Sequence, residues 1–326
     1  MVRASVKQLL QSNPDQILIM DGGQGTELEN RGINVANPVW STIPFINDSF
    51  WSDRSSRDRQ IVAGMFEEYI AAGANLLMTI TYQSSFKSVS ENTDIKTLEE
   101  YNQLLDRIVA FSRTCIGADN YLVGCIGSWG AHICAEFSGD YGEHPERIPY
   151  LDYFRPQLNN FNLQEDIDVI GFETIPNIHE LTAILSWDES IIKKPFYIGM
   201  SVHEHGTLRD GTTMSQVAQL FRSLGKKLNP NFLALGINCC SFRYSHMILE
   251  SLHEELPYIP LIAYPNSGEL YDTVKKIWLK NENCIVTWDE IVKSYLQSGA
   301  RIIGGCCRTT PNDIRQIVTA VKKYKP

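Results

Sequence analysis

Two adjacent cysteines, Cys306 and Cys307, occur in the motif GGCCR after a short apolar segment. A disulfide between neighbouring residues strains the peptide that joins them, so the pair indicates another use of its thiols. Neighbouring side chains on a regular strand point to opposite faces. Both thiols can therefore face one ion only if the backbone leaves strand geometry, a departure that Gly304 and Gly305 permit.

A third thiol, Cys239, ends another apolar segment in the motif GINC. Three thiolates suit zinc, with Zn–S distances near ~2.3 Å, and three protein ligands leave the fourth coordination position open. Spacing alone also allows Cys239 to be a buried apolar residue beside an incidental pair, because the three thiols lack a tight CxxC pattern. Cys240 is a competing ligand, although its side chain should point away from that of Cys239.

Eight apolar segments, which alternate with amphipathic stretches, must position these thiols. The predicted strands are 16–20, 75–81, 121–127, 168–174, 195–202, 232–239, 259–266 and 300–306. A helix precedes the first strand, and the others are predicted at 60–72, 98–113, 151–162, 178–185, 214–224, 245–256, 288–297 and 311–324. Eight such strand–helix units predict an α/β fold, a single-domain (β/α)8 TIM-like barrel over residues 1–326.

An open doubly wound sheet is the alternative architecture. That fold would more often carry a glycine-rich phosphate-binding turn after its first strand. The segment GGQG at 22–25 matches such a turn weakly, and no acidic partner for a ribose is evident after it. The barrel is therefore favoured.

The barrel topology predicts where the three thiols meet. Alternate strands of a barrel supply side chains to one interior layer, so Cys239 after the sixth strand should converge with Cys306 and Cys307 after the eighth. Three long irregular stretches follow the C-terminal ends of strands one, three and seven, at 31–57, 130–149 and 268–284. Loops at that end of a barrel build the active site. The pattern therefore predicts an enzyme.

The composition restricts the kinds of binding partner and the cellular compartment that suit this chain. A formal net charge of −9 argues against a nucleic-acid partner, which would require a basic surface. The apolar stretches are far shorter than the ~20 residues needed to span a membrane, and the N-terminal segment lacks the apolar core of a signal peptide. We therefore expect a cytoplasmic protein, in which metal binding or catalysis is a more common use of cysteines than disulfides. Of the eight cysteines, Cys115, Cys125, Cys134 and Cys284 are expected to be packing or surface residues.

Several motifs together resemble the homocysteine S-methyltransferase family. They are DGGQGTELENRG, FETIPN, GINC, PNSGE and RIIGGCCR, in that order along essentially the whole chain. The likeness is closest to fungal members that use S-methylmethionine or S-adenosylmethionine as methyl donor. The resemblance implies a (β/α)8 barrel, a Zn²⁺ ion held by Cys239, Cys306 and Cys307, and methyl transfer to the thiol of L-homocysteine to form methionine.

The resemblance also implies that Asp21, Gly22, Gly23 and Glu173 contact the amino-acid part of homocysteine. That part carries an ammonium and a carboxylate, so its pocket needs acceptors for the first and donors for the second. Either carboxylate side chain could accept from the ammonium, and glycine N–H groups can approach a carboxylate because no Cβ intervenes. The residue types alone equally allow Asp21 to be a turn cap and Glu173 to be part of a structural ion pair.

The predicted mechanism has no general base, because the sequence lacks a convincing Ser/His/Asp or Cys/His arrangement. The homocysteine sulfur would lose its proton in the open zinc position and attack the methyl carbon of a sulfonium donor. Trp40, Tyr82 and Trp129 are candidates to line the donor pocket, where an aromatic face attracts a cation by ~0.5–2 kcal/mol.

The main alternative function is that of a redox-sensing or metal-storing barrel that uses the vicinal cysteine pair. Two others are a zinc hydrolase and a structural zinc site closed by a fourth ligand.

Overall fold

Eight parallel strands form a nearly closed barrel in the computed structural model, which describes residues 4–272, 277–279 and 285–324. They are β1 (Leu18–Ile19), β2 (Leu76–Met78), β3 (Tyr121–Gly127), β4 (Val169–Ile175), β5 (Phe196–Met200), β6 (Phe232–Asn238), β7 (Leu261–Tyr264) and β8 (Ala300–Ile303). From β2 onward each strand pairs in parallel with the next, and β8 pairs with β1. A parallel bridge between Met20 and Leu76 spans the remaining gap between β1 and β2. The predicted barrel is confirmed.

Helices connect the strands. In the described ranges they are α1 (Val6–Ser12), α2 (Gln24–Asn30), α3 (Asp48–Ser52), α4 (Arg57–Ala72), α5 (Phe86–Asn92), α6 (Leu98–Ile116), α7 (Trp129–His132), α8 (Tyr150–Leu163), α9 (Ile178–Ser186), α10 (Met214–Leu224), α11 (Ser245–Glu255), α12 (Trp288–Gln297) and α13 (Pro311–Tyr324). Short 3₁₀ helices occupy Trp40–Ile46, Pro145–Arg147 and Gly225–Lys227. Four helices (α1, α6, α10 and α12) begin with a capping box, in which a Ser or Thr hydroxyl and a Gln or Glu side chain satisfy each other's backbone N–H. Of the helices described, none has the length and apolarity required to cross a membrane.

The barrel interior is filled by side chains. Val123, Tyr197 and Ile262 belong to a buried cluster inside the ring of strands, as expected when alternate residues point inward. Val6 and Leu10 of α1 join the same cluster, so this helix covers the N-terminal end of the barrel. A larger apolar cluster lies between the strands and the outer helices. The C-terminal mouth is therefore the end at which ligands can enter.

The main differences from the sequence-based expectation lie in the connections. The strand predicted at 16–20 is only the two residues of β1, because the chain turns into α2 soon after Met20. The stretches at 31–57 and 130–149 are not wholly irregular, since they contain α3 and two 3₁₀ helices. Helices such as α3, α5 and α7, with 5, 7 and 4 residues, are too short to show a clear apolar period.

The stretch 268–284, which was expected to be an irregular active-site loop, lies only partly in the described chain. It includes a short antiparallel hairpin of Leu270–Asp272 with Ile277–Leu279. Positions 273–276 and 280–284 lie outside the described residues. Beside the hairpin, the Glu269 carboxylate accepts a hydrogen bond of 2.6 Å from Nε of Arg308, which ties this loop to the end of β8.

Candidate active site

Three cysteine sulfurs meet at the C-terminal mouth of the barrel. Cys239 directly follows β6, and Cys306 and Cys307 lie just beyond β8. The Sγ atoms of Cys239 and Cys306 are in direct contact, with the two Cα atoms 5.5 Å apart, and Sγ of Cys307 is 3.9 Å from Sγ of Cys239. All three sulfur atoms lie within 4.8 Å of one another. The structure thus brings together the three side chains that the sequence singled out as metal ligands.

The backbone reaches this arrangement differently from the expectation. Left-handed backbone occurs at Cys239, with φ 46°, and at Arg308, with φ 64°, and not at the two glycines before Cys306. Gly304 is required for space, since a Cβ there would lie 2.5 Å from Cβ of Met20. A Cβ on Gly305 would overlap the side chain of Thr309. The glycines therefore allow close packing between the ends of β1 and β8 rather than an unusual φ.

The donor set has the chemistry of a soft metal site. A disulfide and a metal ion are alternative uses of Cys239 and Cys306, because metal ligation requires both sulfurs as thiolates. Burial raises the pKa of the Cys307 thiol to about 11, so a cation is needed to hold this sulfur as a thiolate near neutral pH. Across the described ranges, no His, Asp or Glu ligand atom joins the three sulfurs. Three sulfurs with no fourth protein ligand suit zinc with one position left open.

Cys240, the competing ligand candidate, is outside this cluster. It is buried in the apolar core between the strands and the outer helices, and burial raises the pKa of its thiol to about 12. Its neighbour Cys239 faces the barrel mouth instead. The two thiols therefore point to different sides of the chain, as the alternation along a strand predicts.

A cavity of about 430 Å³ opens beside the three sulfurs, and we call it the mouth cavity. This volume is in the usual range for a small-molecule site. Of the aromatic candidates, Trp40 and Tyr82 line it, whereas Trp129 packs edge-on against Tyr153. The lining residues come from the C-terminal ends of several strands and include Gly22, Gly23, Thr81, Glu136, Glu173, Asn238, Cys239, Cys306 and Cys307.

Glu173 lies on β4 and presents its carboxylate to the mouth cavity. Its Oε1 accepts a hydrogen bond of 2.6 Å from the Tyr197 hydroxyl, and Nδ2 of Asn238 lies 3.4 Å from Oε2. Burial raises the pKa of Glu173 to about 7, although the Tyr197 hydroxyl opposes this rise. Because Asn238 directly precedes Cys239, this carboxylate is linked to the backbone that carries one of the sulfurs.

Asp21 follows β1 and is fully buried. Its Oδ2 accepts hydrogen bonds from Nε2 of Gln24 at 2.8 Å and from the Met78 N–H at 3.2 Å. Its Oδ1 is buried with no hydrogen-bond partner in the described part of the chain. Burial, and to a lesser extent the negative charge of Glu173, raise the pKa of Asp21 to about 8. Two carboxylates that both favour the protonated form mark a place where a cation would be stabilised.

The two glycines after Asp21 form the contact between β1 and the cysteine loop. The Gly23 N–H donates to both the carbonyl oxygen and Oγ1 of Thr309, each at 3.0 Å. A Cβ on Gly23 would lie 2.5 Å from the Cys306 carbonyl oxygen, and one on Gly22 would lie 2.6 Å from the carbonyl oxygen of Thr309. The Gly23 amide is thus already paired, and both positions require glycine for space.

A buried carboxylate that the sequence analysis did not identify fixes the loop after β3. Glu180 lies in the first turn of α9 and is fully buried. Its Oε1 accepts a hydrogen bond of 2.6 Å from the Trp129 N–H, and its Oε2 accepts one from the Tyr141 hydroxyl. Glu180 therefore holds both ends of the segment 129–141, which carries several lining residues of the mouth cavity.

Glu180→Gln should make the stability of the protein less dependent on pH. Burial raises the pKa of this carboxyl from 4.5 to about 7, so the folded chain keeps a proton that the unfolded chain loses in this range. The unfolding free energy therefore falls as the pH rises through this window, by on the order of 3 kcal/mol for this group. Denaturant titrations across the window should show a shallower decline for the variant than for the wild type.

The exposed Glu189, in the turn that follows the same helix, provides the matched control. Glu189→Gln makes the same charge change outside the buried contact, so its pH profile should follow that of the wild type. Identical slopes for the wild type and Glu180→Gln would contradict the assignment of a buried, protonated carboxyl.

Comparison with known proteins gives this site a context. The profile of the family described as "Homocysteine S-methyltransferase" matches residues 18–321. The chain is 67% identical to homocysteine S-methyltransferase 2 of Saccharomyces cerevisiae, over 99% of this chain and 100% of the relative. It is 56% identical to homocysteine S-methyltransferase 1 of the same yeast, over the same shares. The crystal structure of the homocysteine methyltransferase MmuM from Escherichia coli, in a metallated form, is 26% identical with a TM-score of 0.73, over 96% of this chain and 99% of that one.

Proposed function

The chain belongs to the homocysteine S-methyltransferase family, and from that premise we propose that it moves a methyl group from a sulfonium donor to L-homocysteine. The donor is S-methylmethionine or S-adenosylmethionine, and the product is methionine. The observation that carries this proposal is the meeting of three cysteine sulfurs within 4.8 Å beside a cavity large enough for substrates.

The proposed cofactor is Zn²⁺, held by Cys239, Cys306 and Cys307. When bound, zinc would accept the homocysteine sulfur in its open position and hold it as a thiolate near neutral pH, where a free thiol with a pKa of ~8.5 is mostly protonated. The protein keeps the three sulfurs together through the left-handed turn at Cys239 and the packing of Gly305 against Thr309. A homocysteine sulfur bound in the open position would therefore lie at the mouth cavity.

The amino-acid part of homocysteine is assigned to Asp21, Gly22, Gly23 and Glu173. An ammonium would satisfy Oδ1 of Asp21, which is otherwise without a partner in the described chain. It would also offset the cost of burying the Asp21 charge, which is the main cause of the raised pKa of Asp21, and the smaller repulsion from Glu173. Gly22 and Gly23 line the cavity, so the contact with the substrate assigned to them would be made by their backbone atoms. Tyr197 and Asn238 orient the Glu173 carboxylate by hydrogen bonds.

The transfer requires positioning more than acid–base chemistry. A bond forms between the homocysteine sulfur and the methyl carbon while the carbon–sulfur bond of the donor breaks. The electron pair of the broken bond stays with the donor sulfur, which leaves as a neutral thioether. If homocysteine is held as a thiolate, its thiol proton would have passed to solvent on binding, so no side chain would have to remove it during transfer. Holding two substrates in line can contribute ~7–11 kcal/mol toward the barrier, and Trp40 and Tyr82 provide a wall for the donor.

Glu173→Gln should weaken homocysteine binding while leaving the metal content unchanged. The substitution keeps the size of the side chain but removes the charge that faces the ammonium. A hydrogen bond to a charged group contributes ~1.5–3 kcal/mol, so the dissociation constant should rise roughly 10- to 100-fold. Calorimetric titration with homocysteine, together with metal analysis of the same sample, measures both quantities. An unchanged dissociation constant would remove Glu173 from the homocysteine site.

A donor assay tests the function itself. The purified protein, with its metal content measured, is supplied with homocysteine and with S-methylmethionine or S-adenosylmethionine in turn, and methionine is quantified. Formation of methionine with one equivalent of bound zinc would support the proposal. Turnover by metal-free protein would contradict the zinc assignment, and reversible thiol oxidation without any turnover would favour the redox-sensing alternative, which the family relationship does not favour.

A further inference from the structure

Besides Glu173 and the exposed Glu91, the acidic side chain of Glu136 lines the mouth cavity, and the proposed function gives it no role. Glu136 lies on the loop between α7 and the 3₁₀ helix Pro145–Arg147. Its Oε2 is shielded from solvent, and within the described ranges no donor forms a hydrogen bond with it. A buried carboxylate oxygen without a partner is costly, so its presence in a substrate cavity indicates a ligand that offsets the cost.

The loop around Glu136 is fixed by contacts on both sides of this residue. The Ala135 N–H donates to the Gly130 carbonyl oxygen at 2.7 Å, and Nδ2 of Asn177 donates to the Gly139 carbonyl oxygen at 3.0 Å. The Tyr141–Glu180 hydrogen bond described above holds the far end. The carboxylate is therefore held in the cavity wall by a supported backbone.

Two observations locate the Glu136 carboxylate within the mouth cavity and exclude the nearest guanidinium as its partner. Burial raises the pKa of the Glu136 carboxyl, and after burial the charge of Glu136 is the next cause that raises the pKa of Tyr82. The carboxylate therefore lies near Tyr82, and its charge also contributes to the raised pKa of Cys307, so it lies close to the cysteine cluster as well. The nearby guanidinium of Arg209 lies over the Phe137 ring at 5.5 Å and donates to Ser201. It therefore interacts with these two residues and not with the Glu136 carboxylate.

We propose that Glu136 supplies the negative charge that faces the sulfonium group of the methyl donor, an inference that rests on the proposed function. A sulfonium has no N–H or O–H, so it is held by charge and by aromatic faces rather than by hydrogen bonds. The unpaired Oε2 of Glu136 and the ring of Tyr82 provide these two features on one wall. The charge disappears when the methyl group leaves, so the carboxylate attracts the donor but not the thioether product.

Glu136→Gln tests this role, with Glu143→Gln as the matched control. Glu143 is exposed on the same loop, so its variant makes the same charge change outside the cavity. For Glu136→Gln, the donor KM should rise roughly 10- to 100-fold, as expected for loss of a buried contact to a charged group. Since the charge acts mainly on donor binding, kcat should change less than KM, and homocysteine affinity and zinc content should match the wild type. An unchanged donor KM would overturn the proposal.

Trimethylsulfonium, which carries the cation without an amino-acid part, separates two uses of the carboxylate. Its inhibition constant should rise in Glu136→Gln by a factor similar to that for the donor. If the donor alone is weakened, Glu136 binds the donor ammonium instead and the proposal is wrong. A wild-type protein that makes no methionine from any sulfonium donor would refute the proposed function, whereas an active wild type with an unaffected Glu136→Gln variant would refute only this inference.

Discussion

Replacing Cys306 or Cys307 by serine should remove the bound zinc and lower methyl transfer by at least roughly a thousandfold. A hydroxyl is a poor substitute for a thiolate ligand, and loss of one of three ligands opens the site. Activation by a metal ion contributes several kcal/mol, and each ~1.4 kcal/mol corresponds to about a tenfold change in rate. Metal analysis of the purified variant and the rate of methionine formation measure the two losses on the same sample.

The barrel should remain folded in these variants, because both cysteines lie on the loop beyond β8 and neither belongs to the large core cluster. Cys115→Ser, on α6 and far along the chain from the three sulfurs, is the matched control. Its zinc content and activity should equal those of the wild type. A Cys307→Ser protein that forms methionine at the wild-type rate without zinc would refute the metal-site assignment.

Gly23→Ala should lower kcat/KM by about a hundredfold and also destabilise the fold. The added methyl would lie 2.5 Å from the Cys306 carbonyl oxygen and 3.0 Å from the Arg308 nitrogen. Both are backbone atoms, so the cysteine loop itself has to move. Overpacking costs ~1–3 kcal/mol of stability, and a displacement of ~1 Å at a reacting centre can cost about a hundredfold in rate. Denaturant unfolding and steady-state kinetics measure the two effects.

Gly64→Ala is the control for this prediction. Gly64 lies within helix α4, where an added Cβ would have only Nη1 of Arg31 nearby, at 3.5 Å. Alanine is preferred to glycine inside a helix by up to ~1 kcal/mol, so this variant should be as stable as the wild type or slightly more stable. Full activity in Gly23→Ala would show that the loop tolerates the methyl group and that packing at this position is not needed for catalysis.

The convergence of the three cysteines can be predicted because barrel geometry relates strand order to position. Once the apolar segments are counted, Cys239 and the Cys306–Cys307 pair follow strands of the same parity and must share one end of the barrel. The steric need for glycine at position 304 could not be predicted in the same way. Its close neighbour Met20 is brought to it by pairing between the first and last strands, which no local pattern reveals.

The buried carboxylates show a second limit of prediction from sequence. Glu180 looks like an ordinary acidic residue in the first turn of a helix, where negative charge is usual. Its contact with Tyr141 joins residues 39 positions apart, and its burial depends on how the loop after β3 folds over α9. Glu136 lies on that same loop, so its exposure to the mouth cavity also depends on tertiary packing. A motif search has no signal for either residue.

The pairing of the first strand, β1, with the last strand, β8, has a consequence for the biosynthesis of the protein. The hydrogen bond from Gly23 to Oγ1 of Thr309 joins residues 286 positions apart, so one wall of the site is translated long before the other. Chains emerge from the ribosome N-terminal end first, at ~5–20 residues per second. Cys239 is made 67 residues before Cys306, so for the last part of that interval it is present without its two companion thiols. A metal ion held by all three sulfurs, as proposed, would therefore bind only after the last strand of the barrel has been made.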